Sequence, residues 1–289
     1  MSGVELTYSR IQSWLDCRRL YKFKYNDLLE PYEESDALRI GSSAHYWLRS
    51  FHLFGVSEPA IDRFYSEVTA FDADTEYEIS LAKAMAKGYE ARYGKDEFNV
   101  LAAEKTVRTK IALTYQSCIF AGKIDMIIQA DNGVWVVEHK TASSMDDRYF
   151  ERLELDPQIT GYIYLASRNS ANVLGVLYNV IRKPSIAQKK SEGQQDFFAR
   201  LAQDYLDRPE FYFARKEIVR NDQELQEFPE YVTGVASEIS FATTYPRNVS
   251  RCNLYGRCAF RSLCIEWSDE LAGTYRKKTK ANQELEDDF

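Results

Sequence analysis

The chain has 289 residues, of which 45% are hydrophobic and 14% aromatic, a composition typical of a globular protein with a packed core. The formal net charge of −7 argues against a protein that coats nucleic acid by bulk attraction, although a local basic groove is compatible with an acidic exterior. The N-terminus lacks the pattern of a signal peptide, and no segment approaches the roughly 18 apolar residues of a membrane span. We therefore expect a soluble cytoplasmic protein with no membrane partner.

The N-terminal third of the chain is predicted to be helical. Residues 7–25 place Ile11, Trp14 and Leu15 at helical spacing, with Ser9 as the cap and basic residues following, which indicates a basic amphipathic helix. The helical pattern returns from residue 36 to residue 98, which predicts a helical subdomain.

Strand character follows in residues 101–115, 117–130 and 134–142, which are rich in β-branched and aromatic residues. The turn residues at 131–133 predict that the last two strands form a hairpin. The elements expected next are a helix at 154–169 with Asp156 as its cap and Pro157 at its first position, a buried strand at 172–183, a helix at 192–207, a strand at 210–220, a helix at 222–243 and a cysteine-rich segment. This order predicts a mixed α/β fold with one central sheet.

Three charged residues, Asp125, Glu138 and Lys140, interrupt the apolar strands of the hairpin. Glu138 and Lys140 are two residues apart, so they point to the same face of one strand. A loop at 132–133 pairs Asp125 with Lys140. A loop at 131–132 pairs it with Glu138, and the three side chains share one face in either register.

A shared face of this kind suits a divalent cation. Opposed or diagonal residues lie roughly 5–8 Å apart, a separation at which two carboxylates bracket one ion. Lys140 is suited to stabilise the charge that develops on a phosphate, and the polar residues Gln158 and Tyr162 share one face of the following helix. A surface salt bridge explains the three hairpin residues equally well.

The motifs around these residues resemble those of a known protein family. GKID at 122–125, EHK at 138–140 and QITGY at 158–162 are similar to the GxxD, ExK and QxxxY motifs of RecB-like nucleases in the PD-(D/E)xK superfamily. Residues 7–25 and 41–48 resemble the N-terminal helix and the glycine–histidine segment of that family. The resemblance implies a restriction-endonuclease-like α/β fold, in which a central mixed sheet is flanked by helices.

The domain organisation follows from the same resemblance. We expect a single nuclease domain over residues 1–280, with the helical insertion at 36–98 and a flexible tail at 281–289. A cluster segment at 245–268 is expected to pack against the 7–25 helix.

The resemblance also implies roles for individual residues. His45, Asp125 and Glu138 are expected to bind Mg²⁺ or Mn²⁺, with the backbone carbonyl of His139 as a further ligand. Lys140 is expected to be the catalytic lysine, with Gln158 and Tyr162 beside it. Glu104, at the start of the first strand of the sheet, is close enough in the pattern to approach the metal, but a solvated strand-end residue is the favoured interpretation.

Four of the five cysteines are candidate ligands of a second metal site. In a reducing compartment, cysteines favour metal binding, catalysis or burial over disulfides. AddB-type nucleases and the CRISPR-associated iron–sulfur exonucleases bind a [4Fe–4S] cluster with one early and three late cysteines. The resemblance therefore implies a terminal iron–sulfur clasp held by Cys17, Cys252, Cys258 and Cys264, although four thiolates also suit zinc. Cys118 is expected to be a core residue.

The expected function is metal-dependent DNA cleavage by an exonuclease of recombination, repair or phage replication. Basic and aromatic residues mingle in 7–25 and 210–220, as in grooves for single-stranded nucleic acid, so the expected substrate is DNA that is single-stranded or has free ends. The chain has no GxxxxGK[ST] loop, so a helicase or recombination partner would supply any unwinding. The alternatives are an inactive DNA-binding or assembly module and a zinc scaffold protein.

Overall fold

The computed structural model describes residues 4–32, 35–68, 73–94, 96, 98–113, 116–169, 172–184, 186–254 and 256–286. The predicted strand end at Thr114 and Tyr115 and the last tail residues, 287–289, lie outside this part of the chain.

The first half of the chain consists of β1 (Glu5–Leu6), α1 (Tyr8–Asp16), α2 (Arg18–Tyr21), a π-helical turn (Lys22–Asn26), β2 (Leu29–Glu30), α3 (Asp36–Phe54), α4 (Glu58–Val68), α5 (Ala73–Tyr93), β3 (Asn99–Leu113), β4 (Gln116–Ala130) and β5 (Gly133–Ala142). The second half consists of α6 (Asp147–Glu151), a 3₁₀ turn (Arg152–Leu155), α7 (Pro157–Ser167), β6 (Val173–Arg182), α8 (Gln194–Asp207), α9 (Pro209–Tyr212), β7 (Phe213–Ile218), α10 (Asp222–Phe241), a 3₁₀ turn (Val249–Arg251), α11 (Arg261–Ile265), α12 (Asp269–Ala272), β8 (Arg276–Lys277) and a 3₁₀ turn (Gln283–Leu285).

The central sheet is mixed, as the sequence predicts. β3, β4 and β5 form an antiparallel meander, β6 is parallel to β5, and β7 closes the edge antiparallel to β6. β1 adds a short parallel pairing to β4. The parallel step from β5 to β6 needs a crossover, and α7 supplies it, starting at the predicted Asp156 cap and Pro157.

The hairpin adopts the second of the two registers considered above. Ala130 lies opposite Gly133 and Met126 opposite Val137, so the loop is at 131–132. Continued by one step, this register places Asp125 across from Glu138, on the same face of the sheet.

The two faces of the sheet carry different hydrophobic cores. One core lies under α1, α7 and α10 and includes Trp14, Ile163 and Val232, all buried. The other lies between the sheet and the helices α3, α4, α5 and α8, with Phe213 of β7 joining it to the sheet. β4 and β5, which carry Asp125, Glu138 and Lys140, have buried apolar residues on both faces.

The predicted helix at 7–25 is interrupted. Thr7, not Ser9, caps α1, and Cys17 adopts an extended conformation that ends it. Backbone groups near the break bind the C-terminal segment: the Arg19 amide donates to the carbonyl of Pro246 at 3.2 Å. The amide of Asn248 in turn lies 3.4 Å from the Cys17 sulfur.

The C-terminal segment returns to the N-terminal one instead of fraying. β8 pairs with β2, and the Thr106 hydroxyl donates to the carbonyl of Leu285, whose side chain is buried. Within the tail expected at 281–289, the structure describes residues 281–286, where Gln283–Leu285 form a 3₁₀ turn and Leu285 is buried. Two smaller corrections concern element ends. The strand expected at 210–220 spans Phe213–Ile218, because residues 209–212 form α9, and the helix expected at 222–243 ends at Phe241.

None of the helices in the part of the chain that the structure describes is long and apolar enough to cross a bilayer.

Candidate active site

Asp125, one of the charged residues of the hairpin, contacts a histidine from the helical subdomain. His45 on α3 places its Nδ1 3.3 Å from Oδ1 of Asp125. The other oxygen of Asp125 accepts a hydrogen bond of 2.8 Å from the backbone amide of His139. Burial alone would favour the uncharged imidazole, but the carboxylate of Asp125 outweighs it and raises the pKa of His45 to about 9.

Glu138 is the most deeply buried charge of the site. Its side chain is 1% exposed, and Nζ of Lys140 lies 2.5 Å from its Oε1. Neither carboxylate oxygen has a hydrogen bond of normal geometry. Burial, together with the nearby charge of Asp125, raises the pKa of Glu138 to about 7. The site therefore places buried carboxylates close to one another, with His45 and Lys140 beside them.

Glu104 belongs to the same cluster, contrary to the expectation of a solvated strand-end residue. One ligand atom each from His45, Glu104 and Asp125 lie within 4.8 Å of one another, a spacing that suits a metal ion. The Glu104 side chain is only 12% exposed. The antiparallel pairing of β3 with β4 places it across from Asp125, because Ala103 and Lys105 pair with the residues flanking Asp125. The sequence alone does not show this pairing, because it does not reveal which strand lies next to β3.

The backbone at Glu104 is unusual, with a φ of 50°. A residue with a Cβ rarely adopts this left-handed conformation, which costs about 1–3 kcal/mol and persists where the surroundings enforce it. This strained residue is one of the three whose ligand atoms lie within 4.8 Å of one another.

Gln158 and Tyr162 lie side by side on the first turns of α7. Nε2 of Gln158 donates to the Tyr162 hydroxyl at 2.9 Å. α7 approaches β4 closely because position 122 is a glycine: a Cβ there would lie 3.2 Å from the Tyr162 ring. Burial raises the pKa of Tyr162 well above its ordinary value, and the charge of Glu138 adds to that effect. The phenol therefore stays protonated and faces the charged cluster.

The model of the PD-(D/E)XK nuclease superfamily matches residues 5–265, which is most of the chain. The chain belongs to this superfamily. Membership implies metal-dependent nuclease activity, and the PD-(D/E)XK nuclease described here carries an acidic pair and a lysine at the strand positions named above.

The solved structures that resemble this PD-(D/E)XK nuclease include the following two. SSO0001 shares 19% identity, with 78% of this chain and 82% of that chain covered and a TM-score of 0.37. A phage-related exonuclease from Haemophilus somnus 129PT shares 12% identity, with 73% and 89% covered and a TM-score of 0.33. No curated protein matches the chain.

The nuclease also brings four cysteines from the two ends of the chain to one cavity. Cys17, Cys252, Cys258 and Cys264 line a space of about 220 Å³. Burial raises the pKa of Cys258, and the other three thiols add to the rise, as expected for groups that lie close together. The wide spacing between Cys252 and Cys258 is bridged by a turn, because the Cys258 amide donates to the Cys252 carbonyl at 2.9 Å. Cys118 lies apart from them in the core of β4.

Proposed function

We propose that this nuclease is a metal-dependent exonuclease that hydrolyses phosphodiester bonds from the ends of DNA, in recombination, repair or phage replication. The observation that carries the proposal is the grouping of His45, Glu104 and Asp125, whose ligand atoms lie within 4.8 Å of one another, next to the buried pair of Glu138 and Lys140. A helicase or recombination protein is the partner class that would supply single strands or ends.

The residues at this site fit a divalent cation. The carboxylate of Glu138 is buried with Nζ of Lys140 2.5 Å from its Oε1, and the carboxylates of Glu104 and Asp125 lie close to each other, an arrangement that a cation with oxygen ligands stabilises. His45, Asp125, Glu138 and the carbonyl of His139 would hold Mg²⁺ or Mn²⁺, and Glu104 joins them. Such an ion activates a bound water and polarises a phosphate oxygen.

Lys140, Gln158 and Tyr162 are assigned to the substrate and the attacking water, not to the cation. Burial would lower the pKa of Lys140, but the carboxylate of Glu138 outweighs it and holds the pKa above its ordinary value, so the amine remains charged. A charged ammonium donates hydrogen bonds and cannot accept a proton. We therefore assign Lys140 to orient the attacking water and to stabilise the developing phosphate charge. Gln158 orients the Tyr162 hydroxyl, which then donates to a phosphate or a base.

The four-cysteine cavity fits a [4Fe–4S] cluster. Its four thiols are the donor set of such a cluster, and four thiolates also suit zinc. Cys17, Cys252, Cys258 and Cys264 would each supply one thiolate. The cluster would tie the two ends of the chain together and take no part in the cleavage.

The test is a cleavage assay with end-labelled single- and double-stranded DNA and a circular control, in the presence of Mg²⁺ or Mn²⁺. Linear DNA should be shortened from its ends while circles stay intact. Lys140→Ala should lower the cleavage rate about 10²-fold to 10³-fold, the usual effect in enzymes of removing one hydrogen-bond donor that stabilises the transition state.

The matched control is Lys216→Ala, since Lys216 is a partly exposed lysine on β7 that pairs with Glu154. It should cleave like the wild type. Undiminished cleavage by both Lys140→Ala and Glu138→Ala would reject the site, and efficient cutting of circles would reject exonuclease action.

A further inference from the structure

Five residues behind the metal-site strand form a hydrogen-bonded group that we call the polar bridge. They are His52 on α3, Tyr89 on α5, His139 on β5, Asn179 on β6 and Arg215 on β7. Tyr89 and Asn179 are 0% exposed and His139 is 4% exposed. A buried network of this kind is strong when every member is satisfied, and it then specifies one arrangement of the elements that carry it.

Asn179 is the centre of the bridge. Nε of Arg215 donates to Oδ1 of Asn179 at 3.1 Å. Because an arginine only donates, this contact assigns Oδ1 and leaves both protons of Nδ2 for other acceptors. Nδ2 lies 2.8 Å from Nδ1 of His139 and 3.3 Å from the Tyr89 hydroxyl, so it donates to both. His139 is then neutral, with Nδ1 as the acceptor.

The Tyr89 hydroxyl completes the bridge. It accepts from Asn179 and also from Nη2 of Arg215 at 2.9 Å. With its acceptor positions taken, its own proton goes to Nε2 of His52, which lies 3.0 Å away. In each of the five hydrogen bonds of the bridge, one donor is therefore matched to one acceptor.

The bridge reaches the metal site by two routes. His139 lies between Glu138 and Lys140 with its side chain on the opposite face, and its backbone amide holds Asp125. His52 lies seven residues, about two helical turns, after His45 on the same side of α3. The His52 ring stacks on the His139 ring at 5.7 Å, while His45 contacts Asp125. α3 thus meets the hairpin strands at two points, one at the bridge and one at the site.

We propose that the polar bridge is a positioning device for the metal site: it holds α3 against β5 and β6 so that His45 and Asp125 face each other at the separation that a metal ion requires. The inference rests on the proposed function of that site. His52, Tyr89, Asn179 and Arg215 act through His139 and α3 and do not touch the metal. Outer residues that orient metal ligands commonly change affinity about 10-fold to 100-fold when altered.

The test is direct Mn²⁺ binding to the full chain by titration calorimetry. Tyr89→Phe removes one hydroxyl and keeps the ring that packs on Trp47 and Phe213. It should raise the Kd for Mn²⁺ about 10-fold. Asn179→Leu, which removes the centre of the bridge, should raise it further.

The matched control is Tyr205→Phe. Tyr205 is also fully buried on the same side of the sheet, and its hydroxyl donates to the carbonyl of Arg182 at 2.7 Å instead of to the bridge. This variant should lose comparable thermal stability and bind Mn²⁺ like the wild type. In cleavage assays, Tyr89→Phe should need more Mn²⁺ for half-maximal rate and should approach the wild-type kcat at saturation.

Equal Mn²⁺ affinity of Tyr89→Phe, Asn179→Leu and the wild type would overturn the inference and leave the proposed function standing. An equal loss of affinity in Tyr205→Phe would also overturn it, because general loosening would then explain the effect. A folded wild type that binds no Mn²⁺ would overturn the proposed function and this inference together.

Discussion

At the scale of single residues, the site combines charges that are costly to bury with contacts that hold them in place. Glu138 is buried beside Lys140, and Glu104 adopts a left-handed backbone conformation. Both features oppose folding and persist where function needs them. The sequence favoured a solvated position for Glu104 over an approach to the metal, since one glutamate in a strand carries no sign of what lies across from it.

We predict that Glu104→Gln weakens the metal site. The change removes one charge from the group of His45, Glu104 and Asp125 and keeps the side-chain shape, so the Mn²⁺ concentration for half-maximal cleavage should rise about 10-fold. The exposed Glu217 on β7 provides the control, because Glu217→Gln should leave the metal dependence unchanged. The same Mn²⁺ response in both variants would remove Glu104 from the ligand group.

At the scale of secondary-structure elements, α7 connects the parallel strands β5 and β6 and also carries Gln158 and Tyr162 to the site. Its position depends on glycines at close approaches. A Cβ at Gly161 would lie 2.9 Å from the ring of Phe120 and 3.0 Å from that of Phe228. These are rigid rings in a packed core, so the helix would have to shift.

We predict that Gly161→Ala lowers both stability and cleavage. Overpacking should cost about 1–3 kcal/mol of the free energy of unfolding, and the shift of α7 should lower kcat by displacing Tyr162. Gly234 in α10 is the control, because a Cβ there meets nothing within 4 Å. Gly234→Ala should stabilise the protein by about 0.5–1 kcal/mol. Chemical denaturation and initial rates measure both effects, and unchanged values for Gly161→Ala would contradict the packing argument.

At the scale of the whole molecule, the two ends of the chain close on each other. Beyond the four cysteines, Asp16 forms an ion pair with Arg251, and its carbonyl accepts from Asn248 at 2.8 Å. Arg18 pairs with Glu238 at 2.9 Å. A link between residue 17 and the C-terminal segment closes a loop of more than 230 residues, which restricts the unfolded chain strongly.

We predict that loss of the proposed cluster lowers thermal stability. Cys17→Ser should reduce the bound iron and sulfide and the visible absorbance, and should cost about 2–5 kcal/mol by analogy with cross-links that close long loops. Cys118→Ala is the control, because it removes a buried thiol in β4 and should keep the iron content. A Cys17→Ser variant with wild-type iron content and Tm would contradict the clasp, and stoichiometric zinc in a colourless wild type would replace the cluster with zinc.

The sequence by itself determined the helices, the strands and the shared face of Asp125, Glu138 and Lys140, because alternation in a strand and periodicity in a helix are local properties. The sequence was compatible with two hairpin registers, and the strand pairing in the structure is the one with the loop at 131–132. Only the tertiary structure brought Glu104 across from Asp125, interrupted the first helix at Cys17 and assembled the polar bridge behind His139. These features depend on contacts between distant segments, and such contacts leave no periodic signal in the segments themselves.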